Sequence, residues 1–261
     1  MHAVVQPLLP PASKTSRTSF ALSSSPDLFH STCSSQIASF TSTNLSQPSV
    51  LRHPHPLHGD VNSLPPKMQS LAYPQFPSTT VHLALFTHVK NAIQLRSRLV
   101  KAAEMPGQEG EVEREAVNFA FVNAGLICSS LHLKTAIHRA LAAQAQNTLR
   151  TKTVHSEILW ILNPTNNISE AIRRYGVSDT TESLFVIRVS GPDLQDPQSK
   201  MSQVVDGTLS PLSDLQNITD WASIRKYHKL NDIRIDDLDQ EEERQWIVNV
   251  VTSTVAAKDI I

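Results

Sequence analysis

The chain has 261 residues and a formal net charge of −1. This near-neutral charge excludes nucleic-acid binding driven by overall charge, although it leaves room for a local basic patch. No apolar run approaches the ~20 residues that a membrane-spanning helix needs. The two cysteines, Cys33 and Cys128, lie far apart and offer neither a disulfide framework nor a zinc-binding pattern, which is typical of a reducing compartment.

Composition divides the chain near Pro77. Eleven of the 16 prolines precede Ser78, and serine, threonine and histidine are frequent there while only two residues are acidic. Such a segment buries too little apolar surface to offset the entropy lost on ordering. We therefore predict a disordered tail over residues 1–77 and one folded domain over residues 78–261.

The tail has two interpretations. Its serine content and its scarcity of acidic residues are typical of a mitochondrial transit peptide, although it has few arginines and little amphipathic pattern. Alternatively, translation starts at Met68, which leaves 194 residues and makes part of the tail an upstream extension. Sequencing the N-terminus of the native protein distinguishes the two, since a mature start before Met68 excludes the second.

Strands and helices alternate along the domain. In the first half we predict a strand over 80–86, a helix over 91–103, a loop over 105–114, a strand over 118–123 and an alanine-rich helix over 130–146. In the second half we predict a strand over 155–162, a helix from 167 to 175, a strand over 184–189, a helix over 214–227 and, after the acidic run 236–243, a terminal helix with a strand as the alternative. This alternation predicts an α/β layered domain with a mixed or largely parallel central sheet flanked by helices.

Residues 155–176 combine a strand, a turn and a helix. Apolar residues on both faces of the first eight indicate a strand covered on both sides, which Asn163-Pro164 ends. Asn167 is a good N-cap, and Glu170 stands at the spacing of a capping box. Gly176 is predicted to take the left-handed conformation that ends many helices. The residues predicted to face inward from this helix are Ala171, Ile172 and Tyr175.

The turn after Asn163 is the strongest candidate for a binding site. Free backbone N–H groups at a helix start attract anions such as phosphate. Cationic and amide side chains near this turn in sequence could hold an RNA end, and the candidates are Arg150, Lys152, Asn166, Asn167, Arg173 and Arg174. The alternative is that the cap only ends a helix and that the arginines are solvated.

An enzymatic site is the other hypothesis. His155 and Glu157 share one face of the predicted strand, and such a pair could perform acid–base chemistry. The alternative is that one or both cap the edge of the sheet or bond a neighbour. The seven glycines form neither a P-loop nor a dinucleotide fingerprint. We predict no catalytic residue, no cofactor and no metal ligand.

Three segments carry a family resemblance in their order and spacing. They are LFTHVKNAIQLRSRL (Leu85–Leu99), FAFVNAGLICSSLHLKTAIHRAL (Phe119–Leu141) and RTKTVHSEILWILNPTNNISEAIRRYGVSDTTESLFVIRV (Arg150–Val189). Together they resemble the small subunit of the KEOPS (EKC) complex, the PRPK-binding protein (TPRKB-like) family, in its fungal form. The resemblance covers roughly Val81 to Val189 and weakens toward the C-terminus. The chain departs from the family in its long tail and in a threonine where that turn is expected to carry a serine.

The resemblance implies a non-catalytic subunit that binds and supports the small atypical kinase of KEOPS. It implies that the complex, through a different subunit, transfers threonylcarbamoyl to the adenosine beside the anticodon of tRNAs that read codons beginning with A. It also implies that the small subunit binds the 3′ CCA end of tRNA, and that fungal complexes are linked to telomere maintenance and transcription. We therefore expect location in the nucleus and cytoplasm, association with telomeric chromatin, and no membrane partner. The resemblance does not indicate which surface binds the kinase.

Overall fold

The computed structural model describes residues 68–233 and 239–258. The strands are β1 (Met68–Ala72), β2 (Thr80–Thr87), β3 (Ala120–Asn123), β4 (Leu184–Ser190) and β5 (Thr208–Ser210). The helices are α1 (Ala92–Glu104), α2 (Gly107–Ala116), α3 (Ser130–Ala145), α4 (Val154–Leu162), α5 (Ile168–Tyr175), α6 (Pro197–Val204), α7 (Leu215–Ile218), α8 (Trp221–Tyr227) and α9 (Gln240–Ala256).

The strands form one sheet in the order β1-β2-β4-β3, and β5 pairs with the end of β2. The predicted α/β class, with a central sheet and flanking helices, is confirmed. The strand directions differ from the prediction, because every pairing within the described residues is antiparallel. The helical connection from β3 to β4 begins and ends at the same end of the sheet, since Asn123 at the end of β3 pairs with Leu184 at the start of β4.

The sheet buries apolar side chains on both faces. Val81, Leu83 and Leu85 of β2 belong to a cluster with α3, α4 and α9, whereas Ala84 and Phe86 belong to a second cluster with α1 and α6. Successive side chains of a strand point to opposite faces, so helices cover both sides. Each fully buried Leu or Phe contributes about 2 kcal/mol through the hydrophobic effect.

The described part of the chain has neither a membrane-spanning helix nor a metal-binding cluster. No helix in residues 68–233 or 239–258 is both long enough and apolar enough to cross a membrane. Within the same ranges, no group of three or more His, Cys, Asp or Glu side chains is arranged to hold a metal ion.

The largest correction concerns residues 155–162, which were predicted as a strand and form helix α4. A second correction concerns residues 105–114, predicted as a loop, where α2 begins at Gly107. The expected helix over 214–227 is interrupted, because the Asp220 side chain accepts from the backbone N–H of Ser223 at 3.0 Å and starts α8 as a new helix.

The ends of the domain also refine the prediction. Strand β1 lies within the segment predicted to be disordered, and it pairs with β2 along its whole length, from Met68 opposite Ala84 to Ala72 opposite Thr80. Residues 1–67 lie outside the described residues. Of the acidic run 236–243, the first three residues lie outside them as well, and the helix predicted after the run is α9.

Candidate functional site

Helix α4 is the central element of the candidate site, since the predicted site residues lie at or beyond its two ends. It begins with a capping box, in which Thr153 Oγ1 accepts from the Ser156 N–H at 3.1 Å and Ser156 Oγ accepts from the Thr153 N–H at 3.2 Å. Every residue of α4 except Ser156 is buried. A helix that is apolar on all sides belongs inside a core.

The turn after α4 is held from inside the protein. Asn163 is fully buried, and its Nδ2 donates to the carbonyl oxygen and the hydroxyl oxygen of Thr165 at 3.0 and 2.8 Å. Lys258, just after α9, donates to the carbonyl oxygen of Asn163 and, at 2.7 Å, to that of Thr165. Its ammonium group also lies 4.5 Å from the centre of the Trp160 ring. The C-terminal part of the domain therefore stabilises the turn.

Helix α5 begins as predicted, with Asn167 as its N-cap. Asn167 Oδ1 accepts from the Glu170 N–H at 3.0 Å. The reciprocal bond of a capping box is not formed, because the Glu170 carboxylate accepts from the Thr165 hydroxyl at 2.9 Å and from Arg174 at 2.5 Å instead. The predicted cap is confirmed and the predicted box is wrong.

The two arginines of α5 have different surroundings. The Arg173 side chain is 73 % exposed, and its only ion pair within the described residues is a 3.5 Å contact with Glu170. The Arg174 side chain is 17 % exposed, pairs with Glu170 and lies over the Tyr227 ring at 4.4 Å. Arg173 is therefore available to a ligand, whereas Arg174 joins α5 to α8.

The end of α5 differs from the prediction in two residues. Gly176 has φ −78° and is not left-handed. The position still requires glycine, because a Cβ there would collide with the carbonyl oxygen of Ile172. Ile172, predicted to face inward, is 50 % exposed, whereas Ala171 and Tyr175 are fully buried as predicted.

Arg150 and Lys152 lie at the other end of α4. Both are exposed, and they precede the Thr153 cap, while Asn166 and Asn167 follow the helix. Nine helical residues span about 13 Å. Helix α4 therefore separates Arg150 and Lys152 from Asn166 and Asn167, and one small anion cannot touch both pairs.

Glu157 stabilises the loop before α4 and is not paired with His155. Its buried carboxylate accepts from the backbone N–H groups of Arg150 and Thr151, and from the Thr151 hydroxyl at 2.7 Å. Because the segment is a helix, two residues of separation place His155 and Glu157 in different directions rather than on one face. The predicted acid–base pair is therefore not formed.

His155 caps the edge of the sheet, which was the alternative interpretation. Its Nε2 accepts from the backbone N–H of Val189 at 2.9 Å, beyond the last pairing of β4 with β3. Burial, helped by the Arg188 cation and opposed by Glu115, lowers the pKa of His155 to about 3. The ring is therefore neutral near pH 7, with its proton on Nδ1.

The sequence analysis did not identify His228 and Lys258, which contact α5 and the turn before it. Tyr175 Oη lies 3.1 Å from His228 Nε2, and burial together with Arg174 and Lys258 lowers the pKa of His228 to about 4. Burial raises the pKa of Tyr175. His228 and Lys258 lie 53 and 93 to 95 residues from their partners, so no local pattern indicates these contacts.

Comparison with known proteins gives a family for the chain. Residues 86–259 match the family model described as "Kinase binding protein CGI-121". An "EKC/KEOPS complex subunit CGI121" of Cryptococcus neoformans is 34 % identical over 232 residues, which cover 74 % of this chain and 100 % of that protein. The protein of that name from Neurospora crassa is 36 % identical over 202 residues (69 % of this chain, 92 % of the relative), and that from Candida albicans is 29 % identical over 191 residues (67 % and 90 %).

The family match covers most of the described fold. It begins at the end of β2 and continues beyond α9, so it includes both ends of α4 and the lysine that holds the turn. The resemblance found in the sequence is thereby confirmed, and the chain belongs to the CGI-121 family of kinase binding proteins, the family of the fungal EKC/KEOPS subunits of that name.

Proposed function

We propose that this chain is a non-catalytic accessory subunit of an EKC/KEOPS complex, where it binds and supports the small atypical kinase. The observation that carries the proposal is the family match over residues 86–259, which spans nearly all of the described domain. The engagement of His155 by Val189 and of Glu157 by the preceding loop supports a structural role for these two residues. Within the complex, the threonylcarbamoyl transferase is a different subunit.

We further propose that the chain helps to recruit tRNA for threonylcarbamoyladenosine modification, with the 3′ end of the tRNA at the turn between α4 and α5. Asn166 is exposed in this turn, and the exposed Arg173 of α5 lies 3.5 Å from Glu170 in the first turn of that helix. The N–H groups of Ile168 and Ser169 have no acceptor among the described residues, as expected in the first turn of a helix. Phosphate oxygens suit both kinds of donor.

Location in the nucleus and cytoplasm belongs to the same proposal, together with a role at telomeric chromatin and in transcription. Fluorescence microscopy of the tagged chain in its native host tests the location. Chromatin immunoprecipitation with a telomeric probe tests the association with telomeres.

Affinity purification tests membership of the complex. The tagged full chain is purified from its native host, its partners are identified by mass spectrometry, and residues 68–261 are tagged in parallel. We expect a small atypical kinase and a threonylcarbamoyl transferase in both samples, because all described elements lie within residues 68–261. Recovery of neither partner with the full chain would contradict the proposal. Recovery with the full chain alone would show that residues 1–67 are needed for assembly.

Charge reversal at Arg173 tests the proposed tRNA contact. Because its side chain is exposed, Arg173→Glu should leave the fold intact and weaken tRNA binding about tenfold at low salt. The salt dependence of the affinity should fall by about one phosphate contact. Affinity is measured by fluorescence anisotropy with labelled tRNA at several salt concentrations.

The matched control is Lys90→Glu, which reverses an exposed cation three residues after the end of β2. We expect it to change the affinity much less. Equal affinity of wild type and Arg173→Glu at low salt would contradict the proposed contact. Arg174 is unsuitable for this test, since its reversal would break its contacts with Glu170 and Tyr227.

A further inference from the structure

A polar cleft of about 450 Å³ lies where α4 begins and β4 ends. Lys152, Thr153 and His155 line one side of it, and Ser190 and Gly191 line another. All of its lining residues lie in the described part of the chain, and none of them is Asp or Glu. The nearby Glu157 carboxylate is occupied by the loop before α4, and Glu115 is paired with Arg188. The cleft is therefore not lined by negative charge.

The start of α4 supplies unused hydrogen-bond donors to this cleft. The N–H groups of Ser156 and Glu157 are taken by the side chain and the carbonyl group of Thr153. Those of Val154 and His155, which also line the cleft, have no acceptor among the described residues. A helix start with free N–H groups carries partial positive charge and favours an anion.

The ring of His155 is an independent observation that points to a ligand. The residue is 5 % exposed, lines the cleft and uses Nε2 to accept from Val189. The neutral ring therefore carries its proton on Nδ1. Nδ1 is buried and has no hydrogen-bond partner. A buried donor without an acceptor destabilises the folded state, and an acceptor oxygen that reached Nδ1 would relieve this cost.

We propose that this cleft binds a phosphate group. The Val154 and His155 N–H groups, the Nδ1–H of His155 and the exposed ammonium group of Lys152 donate to its oxygens. A tetrahedral group with several acceptor oxygens matches a backbone, a ring and an ammonium donor that approach from different elements. The phosphate comes either from a small phosphorylated molecule or from the backbone of an RNA, and the RNA source rests on the proposed function.

Inorganic phosphate is the first probe. It is titrated into the full chain at low ionic strength, and the backbone N–H signals of Val154 and His155 and the Nδ1–H signal of His155 are followed by ¹H–¹⁵N NMR, with chloride at matched ionic strength as the reference. We expect saturable shifts of these signals. Lys152→Glu should weaken phosphate binding about tenfold, while Lys90→Glu, outside the cleft, should not. Shifts that do not saturate, or that are equal in wild type and Lys152→Glu, would overturn the proposal.

Parallel tRNA binding separates this inference from the proposed function. Loss of tRNA affinity in Lys152→Glu, together with loss of phosphate binding, supports an RNA phosphate in the cleft. Phosphate binding that Lys152→Glu weakens without changing tRNA affinity supports a small phosphorylated ligand. If wild type binds tRNA but not phosphate, the cleft proposal is wrong and the recruitment proposal is not affected. If wild type binds phosphate but not tRNA, the recruitment proposal is wrong and the cleft proposal is not affected.

Discussion

Glu157 and Lys258 show how single buried charges stabilise the two ends of one helix. The Glu157 carboxylate accepts the N–H groups of the loop that precedes α4, and the Lys258 ammonium group donates to the carbonyl groups of the turn that follows it. Buried charges are costly unless hydrogen bonds replace the lost hydration. Here backbone groups provide those bonds, so each charge fixes a segment that has no regular hydrogen bonding of its own.

Replacement of Glu157 tests this account. Glu157→Gln keeps the size of the side chain but removes the charge and turns an NH₂ donor toward groups that are donors themselves. We expect a loss of roughly 2–3 kcal/mol in the free energy of unfolding, measured by urea denaturation. Glu241→Gln on α9, where the side chain is 83 % exposed, is the control and should change stability by less than about 0.5 kcal/mol. Similar effects of the two changes would contradict a buried structural role for Glu157.

At the scale of elements, the amphipathic helices and the strongly apolar strands could be predicted. Helices α1 and α3 and strands β2 and β4 lie within one or two residues of their predicted bounds. The prediction was wrong for residues 158–162 because all five are apolar. Their sequence therefore has no hydrophobic periodicity that distinguishes a strand from a helix. The local features that favour a helix here are the Thr153–Ser156 capping box and Glu157 in the first turn.

Two further errors have local causes. Helix α2 was missed because Pro106, Gly107 and Gly110 favour a loop, yet Gly110 serves close packing against the carbonyl group of Met105. Strand β1 was missed because its neighbours in sequence are rich in proline and serine. Its five residues are ordered by pairing with β2, a partner that composition does not reveal.

The candidate site was predicted in part. Asn167 as a cap follows from local sequence, because the bond it forms joins residues three positions apart. The different surroundings of Arg173 and Arg174 depend on Tyr227, more than 50 residues away. The sequence alone therefore did not distinguish the two arginines. The cleft at the start of α4 combines residues from β4 and from the loop before the helix, which only the tertiary structure brings together.

Gly176 allows a test at the end of α5. Gly176→Ala places a methyl group against the carbonyl oxygen of Ile172, so the last turn of the helix must shift. We expect a loss of about 1–3 kcal/mol in the free energy of unfolding, measured by urea denaturation. The control is Gly191→Ala, where the added Cβ meets nothing within 4 Å and a smaller unfolded-state entropy is expected to raise stability by about 0.4–1 kcal/mol. Equal stability of the two variants would contradict this account.

At the scale of the whole molecule, three neutral histidines link stability to pH. Burial is the main cause in each case, and it lowers the pKa to about 3 for His132 and His155 and to about 4 for His228. In the unfolded chain a histidine titrates near ~6.5. Between these values the unfolded chain binds protons that the folded protein does not, so the free energy of unfolding falls as the pH is lowered.

We expect stability to decrease from pH 7 to pH 5, by up to roughly 1.4 kcal/mol per pH unit for each of these histidines below pH ~6.5. Urea denaturation at pH 7, 6 and 5, at constant ionic strength, measures the slope. His228→Gln, whose amide can still bond the Tyr175 hydroxyl, should make the slope shallower. A free energy of unfolding that is constant between pH 7 and pH 5 would contradict these assignments.

The contact of Lys258 with the turn after α4 couples this turn to the C-terminal end of the described domain. The two equilibria are then linked: a ligand that orders the turn also favours the docked state of the segment after α9, and a change that loosens this segment weakens the binding of that ligand. A tag fused close to Lys258 would therefore act as an unintended effector. For binding measurements, a tag is better placed at the N-terminal side.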